Sequence, residues 1–580
     1  MNFNFYKKFS SFTYLNVTQF LGALNDNIFK LLLVYLFIDI EGIEHSHQIL
    51  AASGVVFVAP FLLFSASSGT LADKFSKRNI IIITKVMELV IMILGVLSFY
   101  YQTKLGSFTV LFLLATQSAI FGPSKYGIIP EIVDENKISK ANGMMTSFTF
   151  LAIILGTFLA SFILDISGKN FIFAASVCLL FSLIGLITSL CIEYTPPAGS
   201  SKKFTIFFVK EIYETLKIAR LEPSLLLAII GSSFFLFLGA FTQLNIIPFA
   251  VQSLNMTDIQ GGYLFLVTAV GIGIGSIVAG KISGKNVELG LVPIATIGIT
   301  VSLYLLDFLS TNLFAVVPTV LILGLLGGIY QVPLDSFIQV ASPNKYRGQV
   351  IAAANVFSFV GVLVASFLIY MNTEVFGLRS SEGFALMGTI SFFVSIIFMF
   401  QFFDYLTRYI GMVLCKLHFK ITIEGSENVP GKAVIYVCKH TAWNDTLIMF
   451  GVQNLRVRFF IEQEQDHKKF YLRLYRMLRV YMLPGIEPLE NNILCLTAIN
   501  KTLNKGISVC IFCENENIAD EITKLEKSFS FREILADTNS QMIPVEIQKG
   551  TRDKNSRFFT KLMNKIRVPA VVRFGFDSMN

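Results

Sequence analysis

Twelve apolar stretches, each about as long as a bilayer is thick, constrain this chain more than any other feature. They centre on residues 13–38, 49–68, 79–101, 105–122, 141–164, 171–193, 224–250, 260–280, 289–309, 313–332, 349–371 and 382–403. A helix needs about 20 apolar residues to cross the hydrocarbon core, and each stretch supplies roughly that. Charged residues make up only 15% of the 580, against about a quarter in soluble proteins. A purely soluble globular protein is excluded. Past residue 404 no comparable stretch occurs, and residues 405–580 mix short β-branched runs with charged helical patterns. The chain therefore reads as an all-α membrane domain, 1–404, followed by a domain of a different solvent class, 405–580.

Orientation follows from the Lys and Arg in the connections, which favour the cytoplasm. With the amino terminus inside, the inner loops carry fourteen such residues, Lys74, Lys77, Arg78, Lys137, Lys140, Lys202, Lys203, Lys210, Lys217, Arg220, Lys281, Lys285, Lys345 and Arg347, and the outer loops only Lys104, Lys169 and Arg379. Both termini are expected in the cytoplasm. The first span lacks a small-residue cleavage site, so it reads as a permanent helix rather than a signal peptide. The seven cysteines form an odd, scattered set that suits reduced thiols. Cys510 and Cys513 form a C-x-x-C in an apolar strand-like run; their spacing points them to opposite faces, against a metal site. No bound metal or cofactor is expected.

The membrane half looks duplicated, a feature of transporters. SGTLADKFSKRN (68–79) is echoed weakly by AGKISGKN (279–286), and the Ala-Asn pairs of SKANGMM (139–145) and IAAANVF (351–357) lie 213 residues apart. TPPAGSSKK (195–203) and the polar helical segment after it are the expected hinge between six-helix halves. The G-x-L-A-D-x-x-S-K-R pattern between spans two and three resembles the loop that marks the major facilitator superfamily. VTQFLGALNDNIFK (17–30) and FGPSKYGIIPEIVDENKISKANG (121–143) are similar to its lysophospholipid-transporter branch, and the resemblance covers most of residues 10–400. It implies two six-helix bundles around a midplane site in a bacterial inner membrane. A drug or sugar facilitator is the generic alternative.

A charge in hydrocarbon costs at least about 2.5–3.5 kcal/mol and persists only when paired or facing a cavity. Asp26 and Lys30, four apart, share a face of the first helix, as do Lys85 and Glu88, three apart, on the third. One reading makes them ion pairs that hold helices in register. The other has Asn25, Asp26, Asn27, Lys85 and Glu88 lining the cavity, where they meet a zwitterionic head group or a coupling cation. Lys125, near the inner end of the fourth helix, is a phosphate contact or a snorkelling lysine. Asp73, Lys77 and Arg78 read as a gating charge network at the inner face.

Residues 405–580 carry 25 Lys and Arg against 18 Asp and Glu, nearly all of the net charge of +8. Much of this lies in HKKFYLRLYRMLRVYMLP (467–484) and TRDKNSRFFTKLMNKIR (551–567). The first reads as a basic amphipathic helix and the second is similarly basic; such stretches suit an anionic membrane surface, or are plain solvated faces. Tethering to twelve spans makes lipid, not nucleic acid, the expected polyanion.

Strands near 419–424, 432–438, 457–461, 507–512, 542–547 and 570–575 alternate with helices from about 445 and over 491–504, which argues for an α/β sheet. On that frame KITIEGSENVPGKAVIYVCKHTAWNDTLIMFG resembles the start of the glycerolipid acyltransferases that acylate lysophospholipids. The resemblance implies His440 as general base and Asp445 as the acid that orients it, with an acyl-carrier-protein or coenzyme A thioester as acyl donor. Lys439 stands where the family usually has Asn. The family's phosphate motif is degraded at 512–517: Phe512 and Glu514 remain, while the Pro, Gly and Arg are gone. Arg479 lies near a second broken motif, and Ile543-Pro544-Val545 matches a third.

The combination is similar to a bacterial fusion of a lysophospholipid flippase with a 2-acylglycerophosphoethanolamine acyltransferase. The expected function is lysophospholipid import, with lysophosphatidylethanolamine as the main substrate, followed by cytosolic re-acylation. The rivals are a transporter with a vestigial tail and an acyltransferase anchored by an inactive bundle.

Overall fold

The computed structural model describes residues 10–202, 208–220, 222–284, 286–430, 432–439, 444–452, 457–462, 481–483, 493–513, 518–549 and 568–575. The chain divides into two compact units, 1–401 and 402–580.

In the first unit, twelve helices among the described residues are long and apolar enough to cross a membrane. Six form one half: α1 (Ser11–Glu41), α2 (Ser46–Lys74), α3 (Lys77–Tyr100), α4 (Lys104–Gly127), α5 (Ile138–Ile166) and α6 (Phe171–Leu190). A short amphipathic helix, α7 (Phe208–Ala219), follows. The second half comprises α8 (Pro223–Leu254), α9 (Asp258–Ser283), α10 (Leu291–Phe308), α11 (Leu313–Ala341), α12 (Arg347–Tyr370) and α13 (Ser380–Gln401).

Local chemistry starts these helices. The Asn170 side chain accepts the Phe173 N–H at 2.9 Å at the head of α6. Thr257 and Gln260 form a reciprocal capping box at the head of α9, which satisfies two backbone donors that would otherwise be orphaned. Proline sits inside α4 at Pro123 and inside α11 at Pro333. Each removes one ladder hydrogen bond from its helix.

The apolar surface facing lipid gives little drive for helices to associate, so small residues set the approach. Between α9 and α11 the backbones come so close that a Cβ on Gly275 would collide with the Leu325 carbonyl, and one on Gly324 with the Thr268 carbonyl. The halves meet along two seams. In one, α2 packs on α12, with Phe61 stacked on Phe359 at 4.2 Å. In the other, α5 packs on α9 and α11.

The second unit starts with α14 (Phe403–His418). Its described residues build a seven-stranded sheet from β1 (Phe419–Glu424), β2 (Ile435–Lys439), β3 (Val457–Glu462), β4 (Tyr481–Leu483), β5 (Ser508–Cys513), β6 (Met542–Lys549) and β7 (Val568–Phe574). The order is β1-β7-β6-β2-β5-β3-β4. Every neighbouring pair is parallel except β6 with β7. Helices α15 (Asn444–Val452), α16 (Ile493–Leu503), α17 (Ile518–Lys527) and α18 (Phe529–Thr538) complete it.

Both faces of the central strands are covered. Tyr436, Cys438, Cys510 and Phe512 belong to one core, and Ile435, Val437, Val509, Ile511 and Cys513 to the other. Cys510 and Cys513 thus lie on opposite faces, and both are free thiols. One expectation is corrected here. Residues 467–484 are not a continuous basic helix, because Tyr481–Leu483 pairs with Phe460–Glu462 as strand β4. The rest of that segment, and 551–567, lie outside the described residues.

Candidate functional site

A cavity of about 170 Å³ lies among α1, α3, α4 and α12. Its lining includes Asp26, Lys85, Glu88, Gln117, Ser118 and Lys125, which makes it charged in an otherwise apolar bundle. Lys85 and Glu88, each 1% exposed, form an ion pair at 2.6 Å. The Asn25 amide donates to Glu88 Oε1 at 3.3 Å, and the Gln117 amide approaches Glu88 Oε2 at 3.5 Å. A buried pair is sustained only when its remaining lone pairs are satisfied in this way.

Asp26 and Lys30 do not pair, although they share a helix face. Asp26 Oδ2 accepts the Ser118 hydroxyl at 2.8 Å, and the Lys30 ammonium lies 5.2 Å from the Phe57 ring centre. Each group instead meets a side chain of a neighbouring helix. Asn27 is also displaced from the expected lining. It sits where α5 closes on α1, with Gly156 against its Cβ, and its amide donates to the Ala23 carbonyl at 2.8 Å. Lys125 does line the cavity, with its ammonium 5.5 Å from the Phe121 ring and 5.0 Å from Tyr126.

A second cavity, about 120 Å³, adjoins the first and shares Tyr126, Asn355 and Phe359 with it. Its polar residues include Ser232, Gln331 and Asp335. Asp335 Oδ1 accepts the Ser232 hydroxyl at 3.1 Å and the Gln331 amide at 2.8 Å. Sequence reasoning missed this site. The apolar stretch stops at 332, yet α11 runs on to Ala341. The available signal was the acid two residues after a helix-borne proline, which matches Lys125 two residues after Pro123.

The Lys- and Arg-rich end of the bundle is held shut. Asp73, at the end of α2, accepts the backbone N–H groups of Gly348 (2.6 Å) and Gln349 (3.0 Å) and the Gln349 amide (3.2 Å). These donors begin α12, where a helix presents unpaired N–H groups and positive dipole to an anion. Asn142 on α5 donates to Ser336 and Gln339 on α11 at 3.2 and 3.0 Å, and Gln339 donates back at 2.8 Å. Lys77 pairs with Glu131 at 2.5 Å, and Arg78 donates to the carbonyls of Leu190, the last residue of α6, and Ile192 just after it. Asp73 therefore bridges the halves, whereas Lys77 and Arg78 brace the first half internally. Helix α7 joins this layer: Glu211 accepts the Thr70 hydroxyl, and Lys202 donates to Gln349 at 3.0 Å. Burial pushes the Glu211 carboxyl above its ordinary range, and the Thr70 hydroxyl and Lys202 charge oppose that shift.

In the second unit, His440, Arg479 and Glu514 lie outside the described residues. Asp445 is at the start of α15, fully buried, and its Oδ1 binds the Lys549 ammonium of β6 at 2.5 Å. This partner was not foreseen. Burial and the nearby Asp445 raise the Cys438 thiol well above its usual range, burial being the larger cause, so Cys438 is a core residue and not a nucleophile.

Residues 15–366 match the Major Facilitator Superfamily. The chain is 27% identical over 341 residues to the lysophospholipid transporter LplT of Serratia proteamaculans (strain 568), covering 58% of this chain and 82% of that protein. It is 26% identical over 354 residues to LplT of Klebsiella pneumoniae (strain 342), covering 60% and 84%. Among solved structures, the human organic anion transporter MFSD10 (TETRAN) is similar at a TM-score of 0.55 and 13% identity, covering 67% of this chain and 99% of that one. The transporter FucP in the outward conformation is similar at 0.54 and 14%, covering 67% and 98%.

Proposed function

The chain belongs to the Major Facilitator Superfamily, and from that premise we propose that it carries lysophospholipid inward across a bacterial cytoplasmic membrane and re-acylates it there. The observation that carries the transport reading is the charged cavity of Asp26, Lys85, Glu88 and Lys125, in a chain similar to lysophospholipid transporters over about four-fifths of their length. Both signs of charge in one cavity suit a phosphate-bearing head group. The acyl chain can remain in apolar surroundings, so only the head group needs a polar path. The Lys and Arg bias of the connections orients the closed end to the cytoplasm, where both termini then lie.

The acylation reading rests on the second unit. Strand β2 is central, flanked by β6 and β5, and His440 directly follows its last residue, Lys439. Ligands of open α/β sheets bind beyond the carboxyl ends of strands, and in the sequence His440 is the next residue past that end of β2. His440 takes the proton of the lysolipid hydroxyl as its oxygen attacks the acyl thioester. The carbon–sulfur bond breaks, and the thiol leaves with that proton. An acyl-carrier-protein or coenzyme A thioester supplies the acyl group.

Vesicles holding the full chain, supplied with radiolabelled lysophosphatidylethanolamine and acyl thioester, test both halves. Uptake followed by conversion to the diacyl lipid is expected. His440→Ala should abolish conversion and spare uptake; Asp26→Ala should abolish uptake. Wild-type protein that takes up no lysolipid refutes the transport reading. Uptake without conversion by either thioester refutes the acylation reading.

A further inference from the structure

We propose that Asp335 is the residue that selects lysophospholipids by a positively charged amine, with the phosphate of the same head group held by Lys125 across the seam between the two halves. The inference rests on the transport reading and assigns the ends of the substrate.

Four charged residues line the first cavity, Asp26 and Glu88 against Lys85 and Lys125, so its formal charge is balanced. Asp335 is the charged residue lining the second cavity, and no cation among the described residues lies within ion-pair distance of it. An unpaired charge at membrane depth is retained where a cavity occupant supplies its partner. Lys125 is the matching case of opposite sign. It has aromatic rings beside it and no carboxylate within 4.0 Å among the described residues. The two cavities share Tyr126, Asn355 and Phe359, so Lys125 and Asp335 line adjoining spaces.

The local hydrogen bonding points the same way. Both donors to Asp335, from Ser232 and Gln331, go to Oδ1. The Gln331 amide nitrogen also donates to Ser232 at 2.7 Å, and Gln331 Oε1 is buried with no hydrogen-bond partner among the described residues. Gln331 is only 7% exposed. Asp335 and Gln331 both line the cavity, and their remaining acceptor oxygens suit a ligand with several donors, which is what a primary ammonium provides. On the Lys125 side, the Asn355 amide packs against Gly122 and gives the phosphate a neutral donor. The duplicated halves thus carry opposite charges at matching places, Lys125 after Pro123 and Asp335 after Pro333.

The test compares uptake of lysophosphatidylethanolamine with lysophosphatidylglycerol, whose head group has a phosphate and no amine, by the full chain in vesicles. Wild-type protein is expected to prefer the amine-bearing lipid, and glycerophosphoethanolamine to inhibit more strongly than glycerophosphoglycerol. Asp335→Asn should cut lysophosphatidylethanolamine uptake at least about tenfold and leave lysophosphatidylglycerol within about twofold, a loss of roughly 1.4 kcal/mol of discrimination. Asp335→Glu should keep the preference, and Lys125→Gln should depress both lipids. Equal loss of both lipids in Asp335→Asn would make the residue a coupling or structural group and overturn the proposal. So would wild-type uptake and competition with no amine preference, a result independent of how any variant folds. Wild-type protein that transports neither lipid defeats the transport reading itself.

Discussion

At the scale of single residues, the ion pair of Lys85 and Glu88 shows what burial demands. Among the described residues, Lys85→Met leaves the Glu88 carboxylate buried with the Asn25 and Gln117 amides as its remaining partners. Removing one partner of a buried pair costs about 3–5 kcal/mol, so the melting temperature in detergent should fall sharply. The double variant Lys85→Met/Glu88→Leu should recover most of that loss; a double variant as unstable as the single one would contradict this account. The charged residues of the first cavity were legible because an acid or a lysine inside an apolar run stands out. The Asp26 and Lys30 pairing failed because a shared helix face does not decide which side chain of a neighbouring helix each group meets. Asp335 was passed over for a related reason. Hydropathy ended the span at 332, while the helix continues because Asp335 and Gln339 find donors and acceptors on other helices instead of water.

At the scale of elements, helix approach through glycine gives a clear expectation. Gly275→Leu must force α9 and α11 apart, with at least the about 1–3 kcal/mol typical of overpacking. Gly239→Ala, with nothing within 4 Å of its added Cβ, should leave thermal stability unchanged or slightly raised. Helix α7 carries a pH dependence of defined sign. The docked form favours the protonated Glu211 carboxyl, so its contribution is full below the ordinary glutamate range and declines as pH rises through the elevated value. The melting temperature should fall less between pH 5 and 8 in Glu211→Gln than in the wild type. In the second unit, short apolar, β-branched runs revealed six of the seven strands, because such composition is a local property. The three-residue β4 was hidden in a basic run whose own pattern reads as helix, and only pairing with β3 makes it a strand.

At the scale of the whole first unit, Asp73 ties one half to the other. Hydrogen bonds to a charged group contribute about 1.5–3 kcal/mol each, and Asp73 accepts two from the α12 backbone. Asp73→Asn should lower the ratio of closed to open forms at the Lys- and Arg-rich end at least about tenfold, since 1.4 kcal/mol is one decade. Thiol labelling of Ser358→Cys, a residue lining the second cavity, reads this as faster modification from that side of the membrane. An unchanged rate would show that Asn142 and Gln339 hold the seam alone. The amino-acid sequence by itself settled membrane residence, twelve helices and the alternation of strands with helices in the tail, because hydropathy and periodicity are properties of neighbouring residues. Tertiary structure alone decided which charges meet: Asp26 with Ser118, Asp445 with Lys549, Asp73 with the first turn of α12. It alone set Lys125 and Asp335, 210 residues apart, in adjoining cavities. Such encounters depend on how packed helices and paired strands orient their faces, and no local pattern encodes that.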